Sequence, residues 1–332
     1  MNATTETPQI NTIQAVQLAL DHALADDPRV VVFGEDVADP EGGGVIGCTR
    51  GLSTKHGNER VRSTPISEQA IIGAAIGASL AGLRPVAEIM LMNFTTVAMD
   101  MIVNHAAKLR YMSGGQTNVP IVIRTMTGAG RGGGGQHTDL LEVWFAHTAG
   151  MKVVMPSSPA EAYGLMLSCI DDPDPCLFIE TLPTYWVKGD APKRGERIPL
   201  SKANIARAGT DVTVIGYGRM VAESLAVANK LAGEGISVEV IDLRTISPMD
   251  TPTILHSVKK TGRAVIVHEA VRNFGVGAEI AARIHEALFG QLKSPVQRVG
   301  AGFNAVPVSR PLEQAHVPGQ AQIEAAVRVA MR

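Results

Sequence analysis

Val61-Arg-Ser-Thr-Pro-Ile-Ser-Glu-Gln-Ala70 places one carboxylate, that of Glu68, where an extended segment turns into a helix of small and apolar residues. Pro65 disfavours helix at the residue before it, and Ser67 is placed to cap the amides of a helix that we predict to run through Gly82. That helix is apolar on nearly all faces, which favours burial. A buried carboxylate needs a partner or a proton, so Glu68 is the first candidate for chemistry. The simpler alternative is an acid that only complements the helix dipole.

The composition is typical of a globular protein. The length predicts two domains, because 332 residues exceed what one hydrophobic core usually serves. With 30 Lys+Arg against 32 Asp+Glu and no basic tract, the charge pattern gives no footprint for nucleic acid or a membrane surface. Three cysteines at no metal-like spacing suit a reducing compartment. No signal peptide and no apolar run of membrane-spanning length is evident, so we predict a cytoplasmic protein.

Helix and strand patterns alternate along the chain, which predicts an α/β fold with two doubly wound domains. The polar, proline-bearing segment Lys188–Arg197 is typical of a linker. We therefore predict one domain over residues 1–196 and a second over residues 197–332. In the second domain, strands and helices alternate from Asp211 to Leu288, which predicts a parallel sheet. In the first, Phe94–Met112 is predicted to be one long helix.

Two further stretches are candidates for function. Glu35 follows a predicted buried strand, at the end where α/β sites collect, although a solvated loop acid is the simpler interpretation. Gly128–Gly135 contains a literal G-x-G-x-x-G, but these glycines open no helix, so we reject a dinucleotide site and predict a mobile loop. His137 follows directly and, taken alone, is as well explained as an ordinary loop histidine.

Thr64-Pro-Ile-Ser-Glu68 resembles the Thr-Pro-Ile-x-Glu signature of the beta subunit of thiamine-diphosphate-dependent 2-oxo acid dehydrogenases, a transketolase-like family that includes the pyruvate, branched-chain and acetoin enzymes. Gly34-Glu-Asp-Val37, Arg84-Pro-Val-Ala-Glu-Ile-Met90 with Phe94, and Gln136-His137 match further motifs in the family's order. The resemblance runs from about Thr12 to the end. It implies a thiamine pyrimidine-binding domain followed by a transketolase C-terminal-like domain.

The resemblance also implies roles for single residues. Glu68 would be the catalytic glutamate that binds the aminopyrimidine ring, Glu35 a proton-relay residue, and His137 a catalytic residue of acyl transfer. Met90 and Phe94, which would ordinarily be assigned to the core, would wall the same ring, and the backbone of Ile66 would face it. A structural monovalent cation such as K⁺ would be held by backbone oxygens of Ile121, Cys169, Asp172 and Asp174.

The sequence lacks a Gly-Asp-Gly followed by an asparagine some thirty residues on, the pattern with which thiamine enzymes hold Mg²⁺ and diphosphate. In the family, an alpha subunit supplies that half of the site. The resemblance thus implies an alpha2-beta2 heterotetramer and acyl transfer to the lipoyl arm of an acyltransferase core. It leaves a self-sufficient thiamine or nicotinamide enzyme and a non-catalytic organising subunit as rival classes.

The resemblance implies a small ketone as the substrate. Four stretches look more like the acetoin-type beta chain than the branched-chain type: Arg124–Gly130, Met155–Pro159, Tyr217–Val221 and Ile323–Arg328. Trp144 suits the acetoin or the pyruvate enzymes, so we predict an oxidoreductase acting on pyruvate or acetoin. Thr138-Asp139 and Thr148-Ala149 depart from the family's pattern on the substrate side. A different small ketone or a branched-chain 2-oxo acid therefore stays open.

Overall fold

The structure is a computed structural model that describes residues 8–332. Its strands are β1 (Gln9–Asn11), β2 (Val30–Gly34), β3 (Val61–Ser63), β4 (Arg84–Leu91), β5 (Val122–Thr127), β6 (Lys152–Val154), β7 (Cys176–Thr181), β8 (Lys188–Asp190), β9 (Asn204–Arg207), β10 (Val212–Gly216), β11 (Val238–Asp242), β12 (Thr245–Ser247), β13 (Ala264–Val271) and β14 (Gln297–Ala301). Its α-helices are α1 (Thr12–Asp26), α2 (Leu52–His56), α3 (Glu68–Leu80), α4 (Leu109–Met112), α5 (Glu142–Ala146), α6 (Pro159–Asp171), α7 (Arg219–Ala232), α8 (Thr251–Thr261), α9 (Val276–Leu288), α10 (Arg310–His316) and α11 (Gln320–Met331).

The first of two compact units comprises the chain up to Met126 together with Thr148–Met151 and Ser158–Pro199. It contributes five neighbouring strands in the order β7-β5-β4-β2-β3. The pairs β4–β5, β2–β4 and β2–β3 are parallel, and β1 pairs with β8 in a separate antiparallel ribbon. Every residue of β5 and β7 is buried, as expected for strands covered on both faces.

The second unit comprises Thr127–His147, Lys152–Ser157 and Leu200–Arg332. Its five-stranded sheet has the order β14-β13-β10-β11-β9, and a short antiparallel pair joins β12 to β6. The core consists of the valines of β10, β11 and β13, packed against apolar side chains of α7 and α11. The predicted parallel sheet is confirmed for β10, β11 and β13, and β14 joins it parallel to β13, whereas β9 runs antiparallel to β11. Strand β14 was not predicted.

Helix α3 begins at Glu68, as predicted, with Ser67 at the N-cap. Two details differ from the prediction. Within the described chain the Ser67 side chain caps no amide, and the helix ends at Leu80 instead of Gly82. The helix is also buried on one face only, because Gln69, Ala74 and other residues of the opposite face are exposed in this chain. Burial is decided by what packs on a helix, and uniform apolar composition does not reveal which face that is.

Phe94–Met112 is not one continuous helix. The segment divides into a 3₁₀ turn at Met92–Thr96, a π-helical stretch at Met101–Ala106 and α4. Both predictions of a single long helix and of a helix start at Phe94 are therefore wrong. Periodicity marks a helical segment, but π and 3₁₀ turns use the same residue types as an α-helix.

Near the predicted linker, the chain passes from the first compact unit to the second between Pro199 and Leu200. Two stretches of the first predicted domain, 127–147 and 152–157, belong to the second compact unit. The boundary at residue 197 stays a prediction. Within residues 8–332, helices with the length and hydropathy needed to cross a membrane are absent. The cytoplasmic location likewise stays a prediction.

Candidate active site

The candidate carboxylates lie at the carboxyl edge of the first unit's sheet. Strands β2 and β3 are parallel neighbours, so Glu35 directly after β2 and the Thr64–Glu68 segment directly after β3 emerge side by side. The Thr64 amide donates to the Gly34 carbonyl at 2.8 Å, which ties the two segments together. Strand β4 lies on the other side of β2, with Met90 near its carboxyl end and Phe94 in the 3₁₀ turn that follows. The sheet therefore gathers these predicted site residues at one edge.

Glu68 and Glu35 are both buried, with 7% and 6% of their surface exposed. The buried Oε1 of Glu35 accepts no hydrogen bond from any residue between 8 and 332. Burial and then the negative charge of Glu68 raise the pKa of Glu35 above its usual value. Two neighbouring buried carboxyl groups, where the pKa of Glu35 is raised, are suited to holding and passing on a single proton.

Gly34 is required where β2 passes β4. A Cβ at this position would lie 2.6 Å from the carbonyl oxygen of Glu88 and 2.8 Å from its Cβ. Both neighbours belong to the adjacent parallel strand, so they cannot move aside cheaply. The close approach fixes the point at which the chain turns out of the sheet into Glu35.

The apolar residues assigned to the same site are partly open. Met90 and Phe94 are half-buried, and Ile66 is 81% exposed. Half-buried apolar side chains beside a carboxylate with an unpartnered oxygen match the needs of a flat aromatic ring that carries nitrogen atoms. The residues present therefore fit an aminopyrimidine.

Behind this edge lies a buried charge cluster that the sequence analysis did not identify. Arg124 of β5 bonds to Glu88 of β4 and to Glu180 of β7, with its Nη2 at 3.0 Å from Glu180 Oε2. The Tyr185 hydroxyl donates to the same oxygen at 2.8 Å. Burial, and after it the charge of Glu180, raise the pKa of Glu88 even though Arg124 opposes the shift. A signal existed in the sequence, since Glu88, Arg124 and Glu180 each stand within a mostly apolar strand.

His137 lies in the second unit, exposed, on the loop that follows β5. Its amide donates to the Gly134 carbonyl at 3.2 Å, and the Thr138 hydroxyl donates to the same oxygen at 2.7 Å. The glycine-rich stretch opens no helix, as expected, because the next helix, α5, begins only at Glu142. The Ala129 amide donates to Glu269 and the Gly130 amide to Glu313, each at 2.7 Å. Amides that would cradle a dinucleotide phosphate are thus bonded to protein carboxylates.

A cavity of about 410 Å³ adjoins this loop within the second unit. Its walls include apolar and polar side chains from the loop, α5 and the strand ends: Thr138, Asp139, Trp144, Glu269, Phe303 and Val306. Glu142, the first residue of α5, is fully buried and accepts a hydrogen bond from the Tyr217 hydroxyl at 2.7 Å. Burial raises the pKa of Glu142 to about 7. Thr138 and Asp139, which depart from the family's pattern, therefore line a volume large enough for a small organic ligand.

The turn assigned to a monovalent cation is well defined. The Val119 amide donates to the Pro173 carbonyl at 3.2 Å and the Cys176 amide to the Ile121 carbonyl at 3.0 Å, so the turn after α6 lies against the start of β5. The Cys169 carbonyl accepts from the Asp172 amide at 3.3 Å. Residues 8–332 contain no group of three or more His, Cys, Asp or Glu side chains arranged for a metal. A site built from backbone oxygens is of another kind, and it stays a prediction.

The family models agree with the two-part architecture. The transketolase pyrimidine-binding domain matches residues 8–185 and the transketolase C-terminal domain matches residues 201–323. A solved structure described as a split-gene transketolase, an inactive beta4 tetramer, superposes with a TM-score of 0.78 at 22% identity, over 97% of this chain and 98% of that one. Fold and site together define a transketolase-type protein that depends on thiamine diphosphate.

Relatives of similar length narrow the class. The beta subunit of acetoin:2,6-dichlorophenolindophenol oxidoreductase from Cupriavidus necator is 43% identical over 96% of both chains. The pyruvate dehydrogenase E1 beta subunit of Bacillus subtilis is 43% identical over 91% of this chain and 93% of its own. The 2-oxoisovalerate dehydrogenase beta subunit of Pseudomonas aeruginosa is 41% identical over 99% and 97%. The chain belongs to this family of dehydrogenase beta subunits, which are oxidoreductase components that work with a second kind of subunit.

Proposed function

We propose that the chain acts on pyruvate or acetoin as the beta subunit of the dehydrogenase component of a 2-oxo acid dehydrogenase complex, with Glu68, Glu35 and His137 as its catalytic residues. The observation that carries the proposal is the buried pair of Glu68 and Glu35 at the carboxyl edge of the sheet, in a chain that matches the pyrimidine-binding domain. When bound, thiamine diphosphate supplies the carbon nucleophile and the electron sink for cleaving the bond next to a ketone.

The chain's own residues bind, orient and manage protons. Glu68 would hydrogen-bond the ring nitrogen of the aminopyrimidine, and Glu35 would hold the proton that Glu68 exchanges, which the raised pKa of Glu35 favours. Met90 and Phe94 would cover the ring and exclude water from it, and the backbone of Ile66 would complete the wall. His137 would hold a proton at the oxygen of the acyl group while that group passes to one sulfur of the lipoyl disulfide, whose S–S bond breaks and whose second sulfur takes up the two electrons as a thiol.

The partners follow from what the chain lacks and what it exposes. The sequence has no Gly-Asp-Gly, so the Mg²⁺ and diphosphate half of the cofactor falls to an alpha subunit in an alpha2-beta2 heterotetramer. Exposed apolar side chains of the first unit, Val45, Ile66, Leu80 and Val97, give such a subunit a surface to cover. A lipoyl-bearing acyltransferase core takes the acyl group. K⁺ is proposed at the backbone oxygens of Ile121, Cys169, Asp172 and Asp174.

The test of the divided site compares the purified chain with the chain reconstituted with an alpha-type partner. Alone, it is expected to be inactive and to bind thiamine diphosphate weakly, because only the aminopyrimidine side is present. Overall turnover with a lipoyl acceptor and calorimetric binding of thiamine diphosphate are the measurements. Full turnover by the single chain would overturn the divided site and favour a self-sufficient enzyme. Cofactor binding by the reconstituted pair without turnover would favour an organising subunit instead.

A His137→Ala variant is expected to slow acyl transfer to the lipoyl arm by about 100-fold, the range of a lost acid–base group, while thiamine diphosphate binding changes much less. Single-turnover transfer and cofactor titration give the two values. His256→Ala is the control, since His256 is an exposed histidine on α8. Unchanged rates in both half-reactions of the His137 variant would remove this residue from the site.

The substrate is expected to be small. The reconstituted complex should process pyruvate or acetoin at least about tenfold better than branched 2-oxo acids, because added methylene groups must fit the pocket. Comparing kcat/KM for pyruvate, acetoin and 2-oxoisovalerate tests this directly. One relative, 41% identical, is named as a 2-oxoisovalerate dehydrogenase beta subunit, so 2-oxoisovalerate is the specific alternative substrate. A preference for 2-oxoisovalerate would refute the assignment and leave the class of enzyme intact.

A further inference from the structure

The glycine-rich loop is bound by a carboxylate far away in the sequence. Glu313 of α10 is 2% exposed, and its Oε1 accepts from the Gly130 amide at 2.7 Å and from the Gly132 amide at 3.2 Å. Its Oε2 accepts from the Gly132 amide at 3.1 Å. Both oxygens of one buried carboxylate are therefore directed at the loop backbone. Hydrogen bonds to an ionised acceptor are roughly twice as strong as neutral ones.

A second carboxylate fixes the residue before these glycines. Glu269 Oε1 accepts from the Ala129 amide at 2.7 Å, and Arg219 Nη1 donates to the Ala129 carbonyl at 3.0 Å. The start of the loop is thus tied to β13 through Glu269 and to α7 through Arg219. Backbone amides that point to one place attract an anion, and in this loop the anions are the protein's own carboxylates.

Two further glycines of the loop, Gly134 and Gly135, pack against the segment that leads into α10. A Cβ on Gly134 would lie 2.7 Å from Val308 Cγ2, and one on Gly135 would lie 3.0 Å from the Ala305 Cβ. A Cβ on Gly133 would lie 2.6 Å from Thr138 Cγ2. The loop therefore follows the surface of residues 305–308 closely. His137 comes two residues after this contact.

A chain of glycines has wide conformational freedom, so a loop of this composition needs outside contacts to hold one shape. We infer that Glu313 is a positioning residue, which binds the Gly130 and Gly132 amides and thereby holds the loop that presents His137 for acyl transfer. The inference rests on the proposed function in one respect, the role of His137. The anchoring of the loop itself rests on geometry alone.

Amide hydrogen exchange of the reconstituted complex tests the anchoring without reference to activity. In Glu313→Ala, peptides covering residues 128–139 are expected to exchange at least about tenfold faster, because local opening becomes easier. Glu313→Gln keeps one acceptor oxygen and is expected to lie between. Glu286→Ala, which removes an exposed carboxylate from α9, should exchange like the wild type. Unchanged exchange in a folded Glu313→Ala or Glu313→Gln variant would overturn the inference.

Kinetics test the positioning. Glu313→Ala is expected to slow acyl transfer to lipoyl about tenfold, and to change the half-reaction with an artificial electron acceptor by no more than about twofold. Since Glu313 acts through His137, the double variant with His137→Ala should be no slower in transfer than His137→Ala alone. Additive losses would mean that Glu313 acts by another route and would overturn the inference. If His137→Ala itself transfers at the wild-type rate, the proposed function fails, and the exchange experiment decides the anchoring separately.

Discussion

A Glu68→Gln variant is expected to lose on the order of 100-fold or more in overall turnover, while its assembly with the alpha subunit stays unchanged. The amide keeps the shape and the first-turn position of the glutamate on α3 but cannot hold and return a proton. Turnover with a lipoyl acceptor measures the loss, and size-exclusion chromatography measures assembly. A loss of this size would exceed what a helix-dipole role explains, since that effect is about 0.3–1 kcal/mol of stability.

The matched control is Glu59→Gln, because Glu59 is an exposed glutamate of the same unit and lies outside the proposed site. It should turn over like the wild type. Activity of Glu68→Gln within about threefold of wild type would refute the catalytic role. Such a loss is smaller than tenfold and corresponds to only a small rise in the activation barrier. Loss of activity together with loss of assembly would instead assign Glu68 to subunit contact. Assembly is therefore measured on every variant.

An Arg124→Met variant is expected to lose about 3–5 kcal/mol of stability, because it leaves two glutamates buried without their counter-charge. The Arg124 side chain is 4% exposed, and those of Glu88 and Glu180 are 9% and 0% exposed. Methionine fills much of the volume but offers no donor. Thermal unfolding should show a decrease in Tm of at least about 6 °C for a unit of this size.

The surface substitution Arg328→Met provides the control, since Arg328 pairs with Glu234 at 2.7 Å on the exposed side of α11. Exposed pairs contribute about 1 kcal/mol or less, so its Tm should stay near that of the wild type. Replacing Glu88 and Glu180 by glutamine in the Arg124→Met background should restore part of the stability. A Tm for Arg124→Met within about 2 °C of wild type would contradict the buried-cluster account.

The deficit of Arg124→Met should also depend on pH. Burial already raises the pKa of Glu88, and Arg124 opposes that shift, so removing the guanidinium raises the pKa further. A carboxyl whose pKa is higher in the folded than in the unfolded state contributes stability at low pH and loses it as pH rises. The variant should therefore lie closer to the wild type at about pH 5 than at about pH 8.

Much of the fold was predictable from local patterns. The buried parallel strands β2, β4 and β10 and the amphipathic helices α7 to α9 follow apolar periodicity, and α3 starts at the residue that Pro65 and Ser67 indicate. The antiparallel direction of β9 was not predictable in this way. Strand direction depends on which neighbour a strand finds, and a four-residue segment carries too little pattern to specify that.

The residues of the candidate site were likewise predictable only in part. The sequence located Glu68, Glu35 and His137 through motifs that are short and continuous. It did not reveal that Glu88, Arg124 and Glu180 form one cluster, although each interrupts an apolar strand, because their contact depends on the register of three strands. Nor did it reveal that Glu313 binds a loop some 180 residues earlier.

By itself, then, the sequence determined the family, most of the alternating order of helices and strands, and the residue types at the carboxyl ends of the strands, since these are set by neighbours along the chain. The tertiary structure alone decided which carboxylates are buried together, as with Glu35 and Glu68, and which amides of the glycine-rich loop are already bonded. The physical reason is that desolvation and charge coupling depend on distance in space. Residues far apart in the chain meet only after the strands have paired and the helices have packed.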